Sequence, residues 1–194
     1  MFWLTMALLG SFGSDLSDTQ GFLKVALFIM AAFLSVLIHE FGHALMIKKY
    51  GYPTNVVLTT MGGYATMPSG SLSRKQSFLV TAAGPAIQLF FGILVLFGTI
   101  FLSEAPGLIG HFIWQFVFVT IAWALLNCSP IFPMDGGQML AAVMGPKRVK
   151  GVHLTGMITA GILGVIGLIF GQLFIIVFMG MFCYQNYQMY KQYS

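Results

Sequence analysis

The chain consists of long apolar stretches separated by short polar ones, and most charged residues lie in the polar ones. A helix needs about 20 mostly apolar residues to cross the hydrocarbon layer of a bilayer. Four stretches approach or exceed that length, and each is predicted to form a membrane-spanning helix. These stretches are residues 21–47, 76–102, 111–127 and 152–183. The pattern therefore predicts an all-α integral membrane bundle with about four transmembrane helices.

Two of these stretches carry further expectations. The second contains Pro85, which is expected to kink or restart its helix. The small residues Ala82–Ala86 around it are expected to permit close helix packing and to have no chemical role. The fourth stretch is longer than one crossing needs. The polar residues 184–194 are expected to follow it as a tail outside the membrane.

The segments outside the spans predict two smaller features. Residues 54–67 are rich in valine and threonine, and they predict a small β-hairpin around the glycine pair Gly62-Gly63. This hairpin is expected to dip into the membrane where protein or water covers its backbone. Residues 1–20 join a short apolar stretch to a polar one, which predicts an interfacial segment. Residues 21–194 are then expected to form one transmembrane domain.

Composition and charge agree with a membrane location. The chain is 58% hydrophobic and 7% charged, whereas a soluble domain carries about 25% charged residues. The net charge of +4 comes from few residues, so it does not indicate nucleic-acid binding. Seven of the nine lysines and arginines lie in two loops that four spans would place on one side, which the positive-inside rule assigns to the cytoplasm. They are Lys48, Lys49, Arg74 and Lys75 in the first loop, and Lys147, Arg148 and Lys150 in the second. We expect a multi-pass protein, most simply of the plasma membrane.

The first span ends in the motif His39-Glu40-Phe41-Gly42-His43, which reads H-E-x-x-H. Residues four apart share one face of a helix, so both imidazoles can reach one metal ion. Glu40 lies beside them, where a carboxylate can act on water as a general base. Polar and ionisable side chains inside a span are costly, which favours a functional site over a polar cluster that only packs helices.

The third span is followed by a segment that cannot continue as a helix. Residues 127–137 contain two prolines and then Asp135-Gly136-Gly137. Irregular backbone at membrane depth normally lines a functional cavity. Catalytic zinc needs three protein ligands and one open position, and Asp135 suits the third ligand. An alternative interpretation is that Asp135 caps the short helix predicted over residues 138–144.

The remaining candidate ligands are interpreted as structural. The two cysteines, Cys128 and Cys183, form no C-x-x-C pair, so a thiolate zinc site and a disulfide framework are not indicated. Each is expected to be a small buried apolar residue. His111 and His153 lie at the starts of spans and are interpreted as interface residues.

Taken together, the motifs resemble the site-2 protease family of intramembrane zinc metalloproteases. The resemblance rests on His39-Glu40-x-x-His43 combined with Asn127-x-x-Pro130-x-x-Pro133-x-Asp135-Gly136, and it covers residues 21–144. The hairpin and the Ala83-Gly84-Pro85 helix resemble further family features. No inserted PDZ domain or C-terminal nucleotide-sensing domain is apparent, so a short form is expected. Gln88 departs from the asparagine that many members carry after the Gly-Pro step.

The resemblance implies a function and a set of roles. His39, His43 and Asp135 would bind Zn2+, Glu40 would be the catalytic base, and Asn127 would assist near the scissile carbonyl. The expected activity is hydrolysis of a peptide bond in or near a transmembrane segment, with a single-span membrane protein as substrate. The lipid bilayer is the expected surroundings, and no nucleic acid is expected. A regulatory membrane partner or a homo-oligomer is left open, as is the role of Gln88.

Two alternatives of other classes remain at this stage. A metal-binding membrane transporter could use the same cluster to carry an ion. However, the chain shows no internal repeat and no second group of metal ligands. An inactive protease-like binding partner is the other alternative, but every motif residue is present.

Overall fold

The computed structural model describes residues 18–59, 62–68, 70, 72–101 and 107–193. Within these ranges the chain forms six α-helices, one 3₁₀-helix and a two-stranded antiparallel sheet. The helices are α1 (Thr19–Lys49), α2 (Arg74–Phe101), α3 (Gly107–Asn127), α4 (Asp135–Met144), α5 (Val149–Ile169) and α6 (Leu173–Gln192), and the strands are β1 (Val56–Thr59) and β2 (Gly62–Ala65). Residues 1–17 of the predicted interfacial segment lie outside the described part, so that segment remains a prediction.

Four of the described helices are long and apolar enough to cross a membrane, as the hydrophobic pattern predicts. They are α1, α2, α3 and the helix that begins with the 3₁₀ turn Pro146–Arg148 and continues as α5. Their outward faces carry large apolar side chains such as Phe22, Phe118 and Leu168, each more than 60% exposed. Such faces are stable against lipid and not against water. The protein is an integral membrane protein with the predicted fold class.

The described backbone separates into two compact units, of which the first contains the described residues before 72 and those between 83 and 125. In it, Phe28 and Ala32 of α1 pack with Val119 and Trp123 of α3. Helix α2 is unbroken at Pro85, so the predicted restart is wrong. A proline in a membrane helix is tolerated because neighbouring groups compensate the lost hydrogen bond.

The hairpin forms within the predicted segment, but the glycine pair is not its turn. Gly62 and Gly63 begin β2, where they pair with Thr59 and Leu58 of β1. Gly62 has a φ of +121°, a backbone conformation that only glycine adopts easily. A glycine is therefore required at position 62 of β2.

The second unit contains residues 72–82 and 126–194. The predicted long fourth span and polar tail are wrong, because this region folds into two packed helices, α5 and α6. Gly171, with a φ of +65°, ends α5, and the Gln172 N–H donates to the Gly167 carbonyl at 2.8 Å. This is the glycine-dependent way of ending a helix. Residues 184–192 are thus part of α6.

Helix α4 begins three residues earlier than expected, at Asp135. Its capping residue is Met134, so Asp135 is the first helical residue and not the cap. At the other end Arg74 binds the last carbonyls of α4. Its Nε donates to Ala142 O at 2.9 Å, and Nη2 donates to Val143 O. Arg74 therefore satisfies carbonyl groups that the end of a helix leaves without partners.

Candidate metal centre

The two histidines of the motif lie one turn apart on α1 and point to the same place. His39 and His43 are 5% and 9% exposed, and their Nε2 atoms are 3.1 Å apart. Two nitrogen ligands of a tetrahedral zinc ion, each about 2.05 Å from the metal, would be about 3.3 Å apart. The observed separation therefore suits two ligands of one ion. Glu40, 6% exposed, lies on the same turn.

Small residues of α2 make room for these imidazoles. A Cβ atom at Gly84 would lie 2.4 Å from Nε2 of His43 and 3.0 Å from Nε2 of His39. A Cβ atom at Gly42 would in turn lie 2.5 Å from the Ala83 carbonyl oxygen. The Ala82–Ala86 stretch thus serves close packing, as expected, and what it packs against is the pair of histidines.

Gln88 is a site residue whose role the sequence left open. Its side chain is fully buried, and its Oε1 accepts a hydrogen bond from His39 Nδ1 at 2.9 Å. Its Nε2 donates to Ser35 Oγ at 2.7 Å and to the Ser35 backbone carbonyl at 3.4 Å. Because that carbonyl can only accept, it fixes the orientation of the amide. Since Oε1 can only accept, the His39 proton is on Nδ1 and the lone pair of Nε2 is available to a metal. The signal in the sequence was a glutamine one helical turn after the Gly84-Pro85 step.

We expect Gln88→Leu to weaken zinc binding by about 10- to 100-fold, the usual effect of losing a hydrogen-bond partner of a ligand histidine. The leucine keeps most of the volume but cannot accept the Nδ1–H. Competition with a fluorescent zinc chelator measures the change. Ser35→Ala is the matched control, because it removes a partner of the amide and leaves the His39 contact. Equal affinities for Gln88→Leu and the wild type would contradict this role.

The hairpin approaches the same turn of α1. A Cβ atom at Gly63 would lie 2.6 Å from Cγ of Glu40. Only a residue without a side chain allows β2 to lie this close to the carboxylate. This contact accounts for the glycine at position 63, and the φ of +121° accounts for the one at position 62.

Asp135 is positioned by the glycines that follow it. A Cβ atom at Gly136 would lie 2.2 Å from the Cys128 carbonyl oxygen, and one at Gly137 would lie 2.4 Å from the Phe132 backbone nitrogen. Helix α4 can therefore lie directly on the irregular backbone that precedes it. Asp135 is 7% exposed. Asn127, assigned by resemblance to the scissile carbonyl, is the last residue of α3.

The three predicted ligands form one group. The ligand atoms of His39, His43 and Asp135 all lie within 4.8 Å of one another. Two imidazoles and one carboxylate are a common zinc donor set that leaves one position open for reaction. The buried Asp135 carboxylate supplies the negative charge that a cation needs, and the lack of a side chain at Gly84 leaves space beside the two imidazoles. The site therefore fits a small cation.

The other candidate ligands are accounted for differently than expected. Cys128 is exposed and Cys183 is half-buried, so the predicted burial of both is wrong. His153 is not an interface residue: it is 3% exposed and contacts Asn186.

Comparison with known proteins finds similarity to metalloproteases. Residues 27–106 match peptidase family M50. A zinc metalloprotease of Methanocaldococcus jannaschii is 29% identical over 124 residues, covering 63% of this chain and 35% of that protein. A putative zinc metalloprotease of Synechocystis is 32% identical over 135 residues, covering 68% of this chain and 34% of that protein. The chain thus spans about a third of the length of these curated relatives.

A solved structure shows the same fold. The site-2 protease from Methanocaldococcus jannaschii superposes with a TM-score of 0.68 at 24% identity, covering 97% of this chain and 88% of that one. The donor set of His39, His43 and Asp135 is one that suits Zn2+. The match to peptidase family M50 thus covers residues 27–106, and the likeness of fold extends over nearly the whole chain.

Proposed function

We propose that this protein is an intramembrane zinc metalloprotease that hydrolyses a peptide bond in or near a transmembrane segment of a membrane protein. The observation that carries the proposal is the grouping of His39, His43 and Asp135 within 4.8 Å of one another, with Glu40 on the same turn of α1. A transporter would need the ion to leave, whereas three buried ligands beside a general base suit a resident metal. The relatives named as zinc metalloproteases support the same activity.

The chain's own residues would divide the chemistry as follows. Zinc, when bound, supplies Lewis acidity that polarises a carbonyl group and makes water easier to deprotonate near neutral pH. The Glu40 carboxylate accepts a proton from the attacking water and later donates it to the leaving amine. Asn127 donates a hydrogen bond from its side-chain amide to the developing oxyanion. Gln88 keeps the His39 ring in its binding orientation.

The hairpin offers a place for an extended substrate. The Thr66 N–H donates to the Asn55 carbonyl at 2.9 Å, so this pair is hydrogen-bonded. Hydrogen-bonded and non-hydrogen-bonded pairs alternate in an antiparallel ladder. The Val56–Ala65 and Leu58–Gly63 pairs are therefore of the second kind, and their N–H and C=O groups point away from the partner strand. A substrate strand added to the outer edge of β2 at Gly63 would lie beside Glu40.

Ala65→Pro tests this docking mode. It removes one outward N–H from β2 without removing a bond within the hairpin, and a proline at such an edge position is tolerated. Losing one hydrogen bond of about 1 kcal/mol predicts a kcat/KM about fivefold lower with unchanged zinc content. Val56→Pro is the matched control. Val56 lies opposite Ala65, and its N–H points outward from the edge of β1, where no substrate is proposed to bind. Equal losses in both variants would contradict substrate binding along β2.

We also propose a plasma-membrane location with the site toward the cytoplasm, and a single-span membrane protein as substrate. The distribution of lysine and arginine between the loops supports the orientation. A cysteine introduced between Lys147 and Lys150 should be protected from thiol reagents that cannot cross the membrane. Labelling of that loop from outside would invert the orientation.

The proposed activity can be tested without knowing the substrate. Membrane proteomes of cells that express the wild type and the Glu40→Gln variant are compared for membrane-protein fragments. Proteolysis predicts that intact or pre-trimmed single-span proteins accumulate in the variant. Identical proteomes, with both proteins present and loaded with zinc, would count against a protease.

A further inference from the structure

A second buried polar cluster lies in the helical hairpin of α5 and α6, and neither the metal centre nor the proposed chemistry uses it. His153 and Asn186 are 3% and 1% exposed. His153 Nδ1 donates to Asn186 Oδ1 at 3.1 Å. A Cβ atom at Gly156 would lie 2.6 Å from the same oxygen, so a glycine makes room for the amide. Burying such groups is costly unless each polar atom has a partner.

The amide nitrogen of Asn186 reaches beyond the hairpin. One of its hydrogens bonds the Phe182 carbonyl of its own helix at 2.9 Å. The other bonds the Phe132 carbonyl at 2.6 Å. Phe132 lies in the irregular segment between α3 and α4, three residues before Asp135. The bond between His153 and Asn186 is enough to link α5 to α6. The bond from Asn186 to the Phe132 carbonyl is not needed for that link, so it has a different role.

The same segment is fixed on either side of Phe132. Ile131, fully buried, and Met134 pack against Ala160 of α5 and against Met179 and Phe182 of α6. Gln138 Nε2 donates to the Pro133 carbonyl at 2.9 Å. Two successive carbonyls, of Phe132 and Pro133, are thus each held by an amide side chain. Carbonyls of irregular backbone in a membrane need such partners, and here the partners also determine where α4 begins.

We propose that Asn186, oriented by His153, is a positioning residue for Asp135, so that the α5–α6 hairpin sets the affinity and geometry of the metal centre. The inference rests on the proposed function in one respect, namely that Asp135 binds the zinc. Asn186 acts through the backbone. It holds the carbonyl of Phe132, and Gly137 packs against the backbone nitrogen of Phe132. Asp135 lies between these two residues as the first residue of α4.

The test is Asn186→Leu, which keeps approximate volume and removes both hydrogens. We expect zinc affinity, measured by chelator competition on the full chain in detergent, to fall by about 10- to 100-fold. The visible absorption spectrum of the cobalt-loaded protein should also change, because it reports ligand geometry. Ile175→Ala is the matched control. It loosens the far end of the same hairpin, where a Cβ atom at Gly167 would lie 2.8 Å from Cγ2 of Ile175, and should leave both readouts as in the wild type.

Asp135→Asn separates the two ideas. If that variant keeps wild-type zinc affinity, the proposed ligand set fails. If it loses zinc while Asn186→Leu keeps the wild-type affinity and cobalt spectrum, the positioning role is wrong and the ligand set stands. If Asn186→Leu does not fold, His153→Leu replaces it. It removes the donor to Asn186 Oδ1 and leaves the amide held only through its two N–H groups, so it should cause a smaller change in the same direction. An unaltered cobalt spectrum in that variant would also overturn the role.

Discussion

Replacing Glu40 with glutamine is expected to reduce peptide-bond cleavage by about 10²- to 10⁴-fold, the usual contribution of a positioned general base. The amide has the size of the carboxylate but cannot accept a proton from water. Zinc content should remain near that of the wild type, because His39, His43 and Asp135 already form a three-ligand set. The measurement is a detergent assay with a single-span membrane protein, with metal analysis of the same samples.

Gly63 contacts Glu40 so closely that a change of side-chain volume at position 40 would disturb the hairpin. Glutamine is therefore the appropriate replacement, and Glu40→Ala would confuse loss of the base with movement of β2. Cleavage by Glu40→Gln at the wild-type rate would show that the mechanism is wrong. It would favour the transporter alternative.

Replacing a ligand should have a different signature, in which metal and cleavage are lost together. The wild type should carry about one zinc per chain, and His39→Ala or His43→Ala should lose most of it. Each imidazole is one of only three protein ligands, so its loss should exceed the 10- to 100-fold effect of losing an outer partner. Metal analysis after gel filtration gives the stoichiometry.

His111→Ala is the matched control for the ligand variants. His111 is half-buried on α3 and does not belong to the ligand group. The His111→Ala variant should keep the zinc content and the cleavage activity of the wild type. Full zinc content in both His39→Ala and His43→Ala would place the metal elsewhere and remove the basis of the site.

The hydrophobic pattern predicted the helices because lipid imposes a length and a composition on anything that spans it. It could not show where a long apolar run turns back on itself. The run 152–183 has the composition of one span, and only the conformation of Gly171 divides it into α5 and α6. Residues 184–192 looked like a tail because they are polar, but Asn186 among them is almost completely buried.

The motifs predicted the metal ligands because ligand chemistry restricts residue type and, on a helix, spacing. They could not assign the residues that orient those ligands. Gln88 contacts His39 from 49 positions away, and Asn186 contacts Phe132 from 54 positions away. Neither has a local sequence pattern, because each works through a contact that exists only after the helices have packed. The sequence pattern likewise favours a turn at the glycines of β2, because Glu40, which Gly63 approaches, is distant in sequence.

Gly84 has a consequence for how such a protein loses its activity in evolution. Any base change in the first two positions of a glycine codon replaces the residue or ends the chain. Any replacement places a carbon atom 2.4 Å from the metal-facing nitrogen of His43. The apolar helices would still suit the membrane, so the product would be a membrane protein without the proposed metal centre. A genetic screen for loss of proteolysis should therefore recover substitutions at Gly84 alongside those in the ligands.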